Sequence, residues 1–377
     1  MSFSDLPTPS IILDWHKLVQ NCGKMAKLAT EHGVRLRPHL KTAKCVQVAR
    51  LATEGHFGGL TVSTLAEARY FAESGFRDLT YAVGIAPGKI DDLHAIQTAF
   101  DAKIGLILDS SDAVIAVAER ASAIGANFSV FIEIDTGAGR GGVSPTDSAL
   151  LEIGEAIASR PHLRLAGVLT HAGHSYLARS PEEMRMIAAD ERLGAVLAAN
   201  RLRSHGLQCE QVSIGSTPTV LHSDGFDGVT EIRPGVYTFF DIDQASLGVC
   251  QVSDIACTVL ATVIGHNRRS GHVLIDAGAL ALSKDLSPAK FRTDVQFGLI
   301  SYADSSEPIP GLSLTSLHQE HGLISSSGGV PPYDRMPIGS RVRVFPNHVC
   351  LTVAPYEKYF VAKNNEMMAV WDKARGW

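Results

Sequence analysis

Lys41 ends the segment Arg35-Leu36-Arg37-Pro38-His39-Leu40-Lys41, in which basic side chains recur at every second position. On a strand that spacing puts Arg37, His39 and Lys41 on one side. A lysine amine that burial and neighbouring cations keep neutral can attack a carbonyl and form a Schiff base, and Arg37 and His39 would be such neighbours. The plainer reading of Lys41 is a solvated lysine at a strand end. Lys44, a rival amine, is expected on the helix that follows. Four further segments carry polar residues at the ends of apolar runs. Asp135-Thr136-Gly137-Ala138-Gly139-Arg140 has glycines that let the backbone turn and leave Arg140 free to reach inward and neutralise an oxyanion. Thr170-His171-Ala172-Gly173-His174-Ser175-Tyr176 brings an imidazole and a phenol to the same level, either as chemistry or as core filling. Ser213-Ile214-Gly215-Ser216-Thr217-Pro218-Thr219 and Arg233-Pro234-Gly235-Val236-Tyr237 offer small hydroxyl residues and glycines whose amides could cradle a phosphate. A lysine, a phosphate cradle and an inward arginine together suggest pyridoxal phosphate. A separate pair, His348 and Cys350 in Pro346-Asn347-His348-Val349-Cys350, is expected two apart on one strand face. Imidazole with thiolate suits zinc, and two protein ligands would leave the metal open to substrate; a buried core His and Cys is the alternative.

The elements that must position these residues are short Val/Ile/Leu-rich runs, each followed by a longer amphipathic stretch, the pattern of repeated βα units around a parallel sheet. Eight runs are readable: Val34–His39, Gly59–Ser63, Leu79–Gly84, Lys103–Asp109, Ser129–Asp135, Leu163–His171, Glu210–Gly215 and Val229–Arg233. Helical patterns such as Thr64–Ser74, Ser111–Ile124 and Pro181–His205 lie between them. Eight strands close a TIM (β/α)8 barrel, whose active sites lie at the C-terminal strand ends and whose phosphate sites often use the loops after strands seven and eight. The alternative is a doubly wound sheet of nine or ten strands. A strand over Ser10–Leu13 and a helix over Trp15–His32, capped by Asp14, precede the repeat. After about residue 245 long helical patterns give way to strand-like segments at Ala256–Gly265, His272–Asp276, Arg341–Phe345 and Lys358–Val361, and Ser325–Asp334 reads as an exposed loop. The expected domains are a barrel over 15–245 and a mostly β domain made of 1–14 and 246–377.

Length and composition set the class. With 377 residues, 45% hydrophobic and 19% charged, and 34 basic against 39 acidic residues for a net charge of −5, the chain reads as a soluble two-domain globular protein. It does not read as a disordered, collagen-like or nucleic-acid-binding one. No signal-peptide layout or membrane-length apolar run is present, so a cytoplasmic location is expected. Six cysteines without CxxC spacing are too few for a disulfide framework and are expected to be buried small apolar residues.

The ordered series Thr8-Pro9-Ser10, Arg37-Pro38-His39-Leu40-Lys41-Thr42, Val62-Ser63-Thr64-Leu65-Ala66-Glu67-Ala68, Asp135-Thr136-Gly137 to Arg140, His171 to Tyr176, Gly235-Val236-Tyr237, Gln319-Glu320-His321-Gly322 and Pro346 to Cys350 spans nearly the whole chain. It resembles the fold-type III pyridoxal phosphate enzymes of the D-serine dehydratase and D-threonine aldolase group within the alanine racemase-like superfamily. The resemblance implies a barrel followed by a β domain that recruits the N-terminal strand, assembled as a homodimer. It makes Lys41 the Schiff-base lysine, Arg140 a partner of the cofactor phenolic oxygen, His171 a neighbour of the cofactor ring and Tyr176 a residue facing its pyridine nitrogen. Gly215, Ser216, Thr217 and Tyr237 would hold the phosphate, His348 and Cys350 the metal, and His321 would contact substrate. The dehydratase branch resembles His-x-Cys, as here, whereas the aldolases look more like His-x-Asp, and a thiolate favours Zn2+ over Mn2+ or Mg2+. The expected reaction is β-elimination of water from D-3-hydroxy amino acids such as D-serine, giving a 2-oxo acid and ammonia. Retro-aldol cleavage of D-threonine or 3-hydroxy-D-aspartate is the alternative; a racemase has no use for the metal pair, and a non-catalytic cofactor carrier has no use for the second domain.

Overall fold

The structure, a computed structural model, describes residues 3–377 and divides into two compact units. One comprises 24–235 with 374–377; the other comprises 236–373 with the N-terminal residues up to 23.

Strand β1 (Ser10–Asp14) belongs to the second unit. The first unit carries β2 (Arg35–Leu36), β3 (Leu60–Val62), β4 (Asp78–Tyr81), β5 (Lys103–Leu108), β6 (Phe128–Ile134), β7 (Leu163–Thr170), β8 (Gln211–Ile214) and β9 (Glu231–Ile232). All pair in parallel, in the order β2-β9-β8-β7-β6-β5-β4-β3. A parallel bridge between His39 and Thr61 joins the two ends, with the Leu40 amide donating to the Thr61 carbonyl and the Thr61 amide to Pro38. The eight strands therefore form a closed barrel, and the doubly wound alternative falls. Interior and helix-facing positions alike are buried, as in β5 from Ile104 to Leu108, which is why these strands read as unbroken apolar runs. Each fully buried Val, Leu or Ile contributes about 1.5–3 kcal/mol relative to exposure.

The expected first strand, Val34–His39, is shortened to Arg35–Leu36. Pro38 has no N–H to donate to a ladder, and the chain regains pairing only at His39. The helices fall where expected: Leu65–Glu73 capped by Thr64, Ser111–Ile124 capped by Ser110, and Pro181–Ser204 capped by Ser180. The helix Trp15–Glu31 opens with the Lys17 amide donating to Asp14 at 3.1 Å.

In the second unit β10 (Cys257–Asn267), β11 (His272–Ile275), β12 (Gly298–Tyr302), β13 (Leu312–Leu317), β14 (Gly322–Ser326) and β15 (Arg341–Pro346) form an antiparallel ring, since β10 pairs both β15 and β11. The sheet continues through β1 to β16 (Lys358–Lys363) and β17 (Glu366–Asp372). Strands β12, β13, β14 and β17 were not among the sequence expectations. The Ser325–Asp334 segment is only partly exposed: it starts on β14, is exposed over 327–330 and at Asp334, and buries Pro331 and Tyr333. None of the six cysteines forms a disulfide; five are buried and Cys350 is half-buried. Among the described residues no helix is long and apolar enough to cross a membrane.

Candidate active site and metal pair

Lys41 is exposed in the turn that follows the His39 bridge. Its charge lowers the pKa of both His39 and His171, so the ammonium stands close to both imidazoles. Burial is the larger cause for each ring: it drives His39 well below the ordinary histidine value and His171 to about 3. Both rings are packed deep in protein yet keep partial solvent access, as residues lining a concave mouth do. Their tautomers follow from their partners. The Gly215 carbonyl, 3.3 Å from His171 Nδ1, requires a hydrogen there, leaving Nε2 with its lone pair. The Lys41 amide donates to His39 Nδ1 at 3.4 Å, which places the His39 hydrogen on Nε2, 3.4 Å from Ser63 Oγ.

Alternation does not carry Arg37 to this mouth. The strand ends before it, and its guanidinium is buried between Glu231 at 2.8 Å and Asp78 at 2.7 Å, both at strand starts. The cation beside the imidazoles is instead Arg233, which donates to Ser213 Oγ at 2.7 Å and to the Thr170 carbonyl. Ser213 in turn donates to Glu231 at 2.6 Å. Lys44 precedes its helix, which begins at Val46, and its amine is engaged in an ion pair with Glu67 at 3.2 Å. Arg140 is largely exposed and pairs with Glu133 at 3.2 Å, close enough to the mouth for its charge to act on His171.

After β8, Gly215 turns the chain at φ +119°, and an added Cβ would come within 2.9 Å of Val220. Ser216 caps the short helix Thr217–His222 by accepting from the Thr219 amide at 3.3 Å, and Ser216 and Thr217 are buried. Beneath this turn lies a residue the sequence reading missed, Glu191. Fully buried, it accepts from the amides of Ala172 at 2.8 Å and Gly215 at 3.2 Å and from the Thr219 hydroxyl at 2.7 Å, tying the ends of β7 and β8 together. Its signal was available: it sits on the apolar stripe Met184, Ala188, Ala195, Ala198 of its helix. Tyr176 lies in the 3-10 turn Gly173–Leu177. Tyr237, in the 3-10 turn Val236–Thr238, belongs to the second unit, where burial holds its phenol well above the usual range. An exposed amine, two neutral imidazoles and a field of Lys41, Arg140 and Arg233 fit an aldehyde that carries a phosphate.

His348 and Cys350 do not share a strand. Strand β15 ends at Pro346; His348 is the N-cap residue and Cys350 lies in the first turn of the short helix Val349–Val353. The turn still joins them, with a hydrogen bond between the side chains. Burial pushes the His348 pKa down, but the hydrogen bond and charge of Cys350, with Asp241 and Asp285, outweigh it and raise it to about 10. Asp241, fully buried, accepts from the Val349 amide at 2.9 Å. A thiol and an imidazole among carboxylates fit a borderline-soft divalent cation. Among the described residues no group of three or more His, Cys, Asp or Glu side chains is arranged to hold a metal ion. His321 is exposed in the β13–β14 connection, its carbonyl accepting from the His318 amide at 2.9 Å.

Residues 13–243 match the alanine racemase N-terminal domain family, and residues 256–362 match the serine dehydratase domain family. The chain is 41% identical to D-threo-3-hydroxyaspartate dehydratase of Delftia sp. (strain HT23), over 99% of this chain and 98% of that protein. Against D-serine dehydratase of Dictyostelium discoideum the identity is 32%, over 97% and 95%. D-threonine aldolase of an Arthrobacter species is 28% identical, over 98% and 93%. The solved structure of the Delftia enzyme superposes with a TM-score of 0.96 at 40% identity, covering 100% of both chains; an alanine variant of the same enzyme at a cysteine has been solved in a metal-free form. The chain belongs to the alanine racemase-like family in which a barrel of the alanine racemase N-terminal type is followed by a serine dehydratase domain.

Proposed function

We propose that this protein is a pyridoxal phosphate- and metal-dependent dehydratase of D-3-hydroxy amino acids, converting D-serine or 3-hydroxy-D-aspartate to the 2-oxo acid and ammonia. The observation that carries the reading is the Lys41 amine set at a barrel mouth against two imidazoles held neutral. The higher identity to dehydratases than to the aldolase supports elimination over carbon–carbon cleavage.

Pyridoxal phosphate, bound through Lys41, supplies an electron sink for the carbanion formed at Cα. Gly215, Ser216, Thr217 and Tyr237 would hold its phosphate, Arg140 its phenolic oxygen, His171 its ring face and Tyr176 its pyridine nitrogen. Lys41 Nζ, released when substrate takes its place, accepts the α-proton. Because His39 and His171 stay neutral, they add no further positive charge beside Lys41 Nζ as it takes up the α-proton. Zinc on His348 and Cys350 supplies Lewis acidity to the β-hydroxyl, with Mn2+ or another divalent cation as the alternative; the metal-free cysteine variant of the Delftia enzyme supports a metal. The atoms balance: HO–CHR–CH(NH3+)–COO− loses water, and hydrolysis of the resulting enamine through its imine returns one water and releases ammonium with R–CH2–CO–COO−. Under this reading the protein acts in the cytoplasm as a homodimer, and His321 contacts substrate.

The test is product analysis with D-threonine on the metal- and cofactor-loaded protein. 2-Oxobutyrate with ammonia is the expected outcome. Glycine with acetaldehyde would replace the dehydratase reading by the aldolase one.

A further inference from the structure

We propose that Asp285 is the positioning residue of the metal pair, fixing which nitrogen of His348 meets the cation; this rests on the reading that His348 and Cys350 bind a metal. Asp285 Oδ2 lies 2.7 Å from His348 Nδ1. A carboxylate can only accept at that distance, so Nδ1 carries the hydrogen and Nε2 is left for the metal. Asp285 covers one edge of the ring only, since 35% of the His348 side chain stays exposed.

The carboxylate is itself held. Its Oδ1 accepts from the Ser287 amide at 2.7 Å, and its main-chain carbonyl accepts from Asn347 Nδ2 at 2.9 Å. The second Asn347 Nδ2 hydrogen goes to the Gln296 carbonyl at 2.6 Å. The residue immediately before His348 thus anchors the loop that carries Asp285, while the Val349 amide on the other side is fixed to Asp241 at 2.9 Å. The ring has its orientation before any cation arrives. A ligand oriented by an outer carboxylate in this way typically loses about tenfold to a hundredfold in metal affinity when the carboxylate is removed.

The experiment is Zn2+ titration of the full-length, cofactor-loaded protein after chelator stripping, using a competing chromophoric chelator, for the parent, Asp285→Ala, Asp285→Asn, His348→Ala and His348→Ala/Asp285→Ala. Cofactor absorbance is followed alongside to show that the barrel site is intact. Asp285→Ala should bind Zn2+ about tenfold to a hundredfold more weakly with unchanged cofactor absorbance. Asp285→Asn, close in shape but with a single acceptor oxygen, can still accept from Nδ1–H by giving up the Ser287 amide, and should recover part of that loss, which shows that the loop is folded. In the His348→Ala background, removing Asp285 should change nothing further. Parent-like affinity in Asp285→Ala alongside a loss in His348→Ala would overturn the proposal while leaving the metal pair standing. A further loss from Asp285→Ala when His348 is already gone would make Asp285 a direct ligand and overturn it as well. Parent-like affinity in His348→Ala would remove the metal reading itself, and this inference with it.

Discussion

The barrel mouth and the metal pair each centre on a histidine, and the two rings are driven in opposite directions. His171, under burial and beside Lys41, Arg140 and Arg233, falls to about 3; His348, beside Cys350, Asp241 and Asp285, rises to about 10. One centre is a buried site whose positive field adds to burial in keeping its imidazoles neutral, suited to an anion. The other is a negative field that outweighs burial and holds its imidazole charged. A histidine in isolation says little about its task; the charges within a few ångströms decide it.

The largest way to test this contrast is at the mouth. Lys41→Ala should lower kcat by on the order of ten-thousandfold and abolish the imine absorbance, because it removes the amine whose charge acts on both imidazoles. Cys350→Ala should reduce elimination by about a thousandfold with loss of metal while the cofactor absorbance stays; steady-state kinetics with metal analysis checks it, and full activity in the metal-free variant would separate the second centre from the reaction. Glu191→Ala, which strands the Ala172 and Gly215 amides and the Thr219 hydroxyl, should cost about 3 kcal/mol in denaturant unfolding. Cofactor should also dissociate faster, since the turn after β8 loses its tie.

The pH dependence of stability compares the two rings most directly. Between about pH 6.5 and 3 the unfolded chain binds a proton that folded His171 refuses, so stability falls as pH falls, by up to about 1.4 kcal/mol per unit for that ring, and His39, also held well below the ordinary value by burial, acts in the same direction. His348 behaves oppositely in the metal-free protein. Its raised pKa gives stability that is fully present below about 6.5 and lost as pH rises toward about 10. Unfolding midpoints across pH for His171→Asn and His348→Asn should flatten the acid and the alkaline limb respectively; a flattened acid limb in His348→Asn would contradict the assignment of fields.

The eight barrel strands were legible because strands buried on both faces leave continuous apolar runs. The missing strands of the second unit were not: β13 reads Leu-Ser-Leu-Thr-Ser-Leu and β14 begins at a glycine, so small polar residues and a glycine mask a short hairpin. Lys41, His171 and the Gly215–Thr217 turn were readable from their places at strand ends. Arg37 was misplaced because its guanidinium is drawn to Glu231 and Asp78 at the strand starts, an ion-pair arrangement that alternation alone does not reveal. Arg233 was quoted only as a lead into the last loop, and its place beside the imidazoles depends on Ser213 and Thr170, which only the closed barrel brings to it. Asp285 sits in a loop with no pattern around it, and its pairing with a histidine 63 residues later is a product of tertiary folding alone.

The barrel seam has a kinetic consequence. Strand β2 pairs with β9 over two residues and meets β3 through the single His39–Thr61 bridge, whereas β6 and β7 share a ladder of seven pairs. Local opening costs least where the ladder is thinnest. The amide hydrogens of Leu40 and Thr61 should therefore exchange with solvent well before those of β6 and β7, and the lysine two residues beyond the bridge rides on the part of the barrel that breathes first.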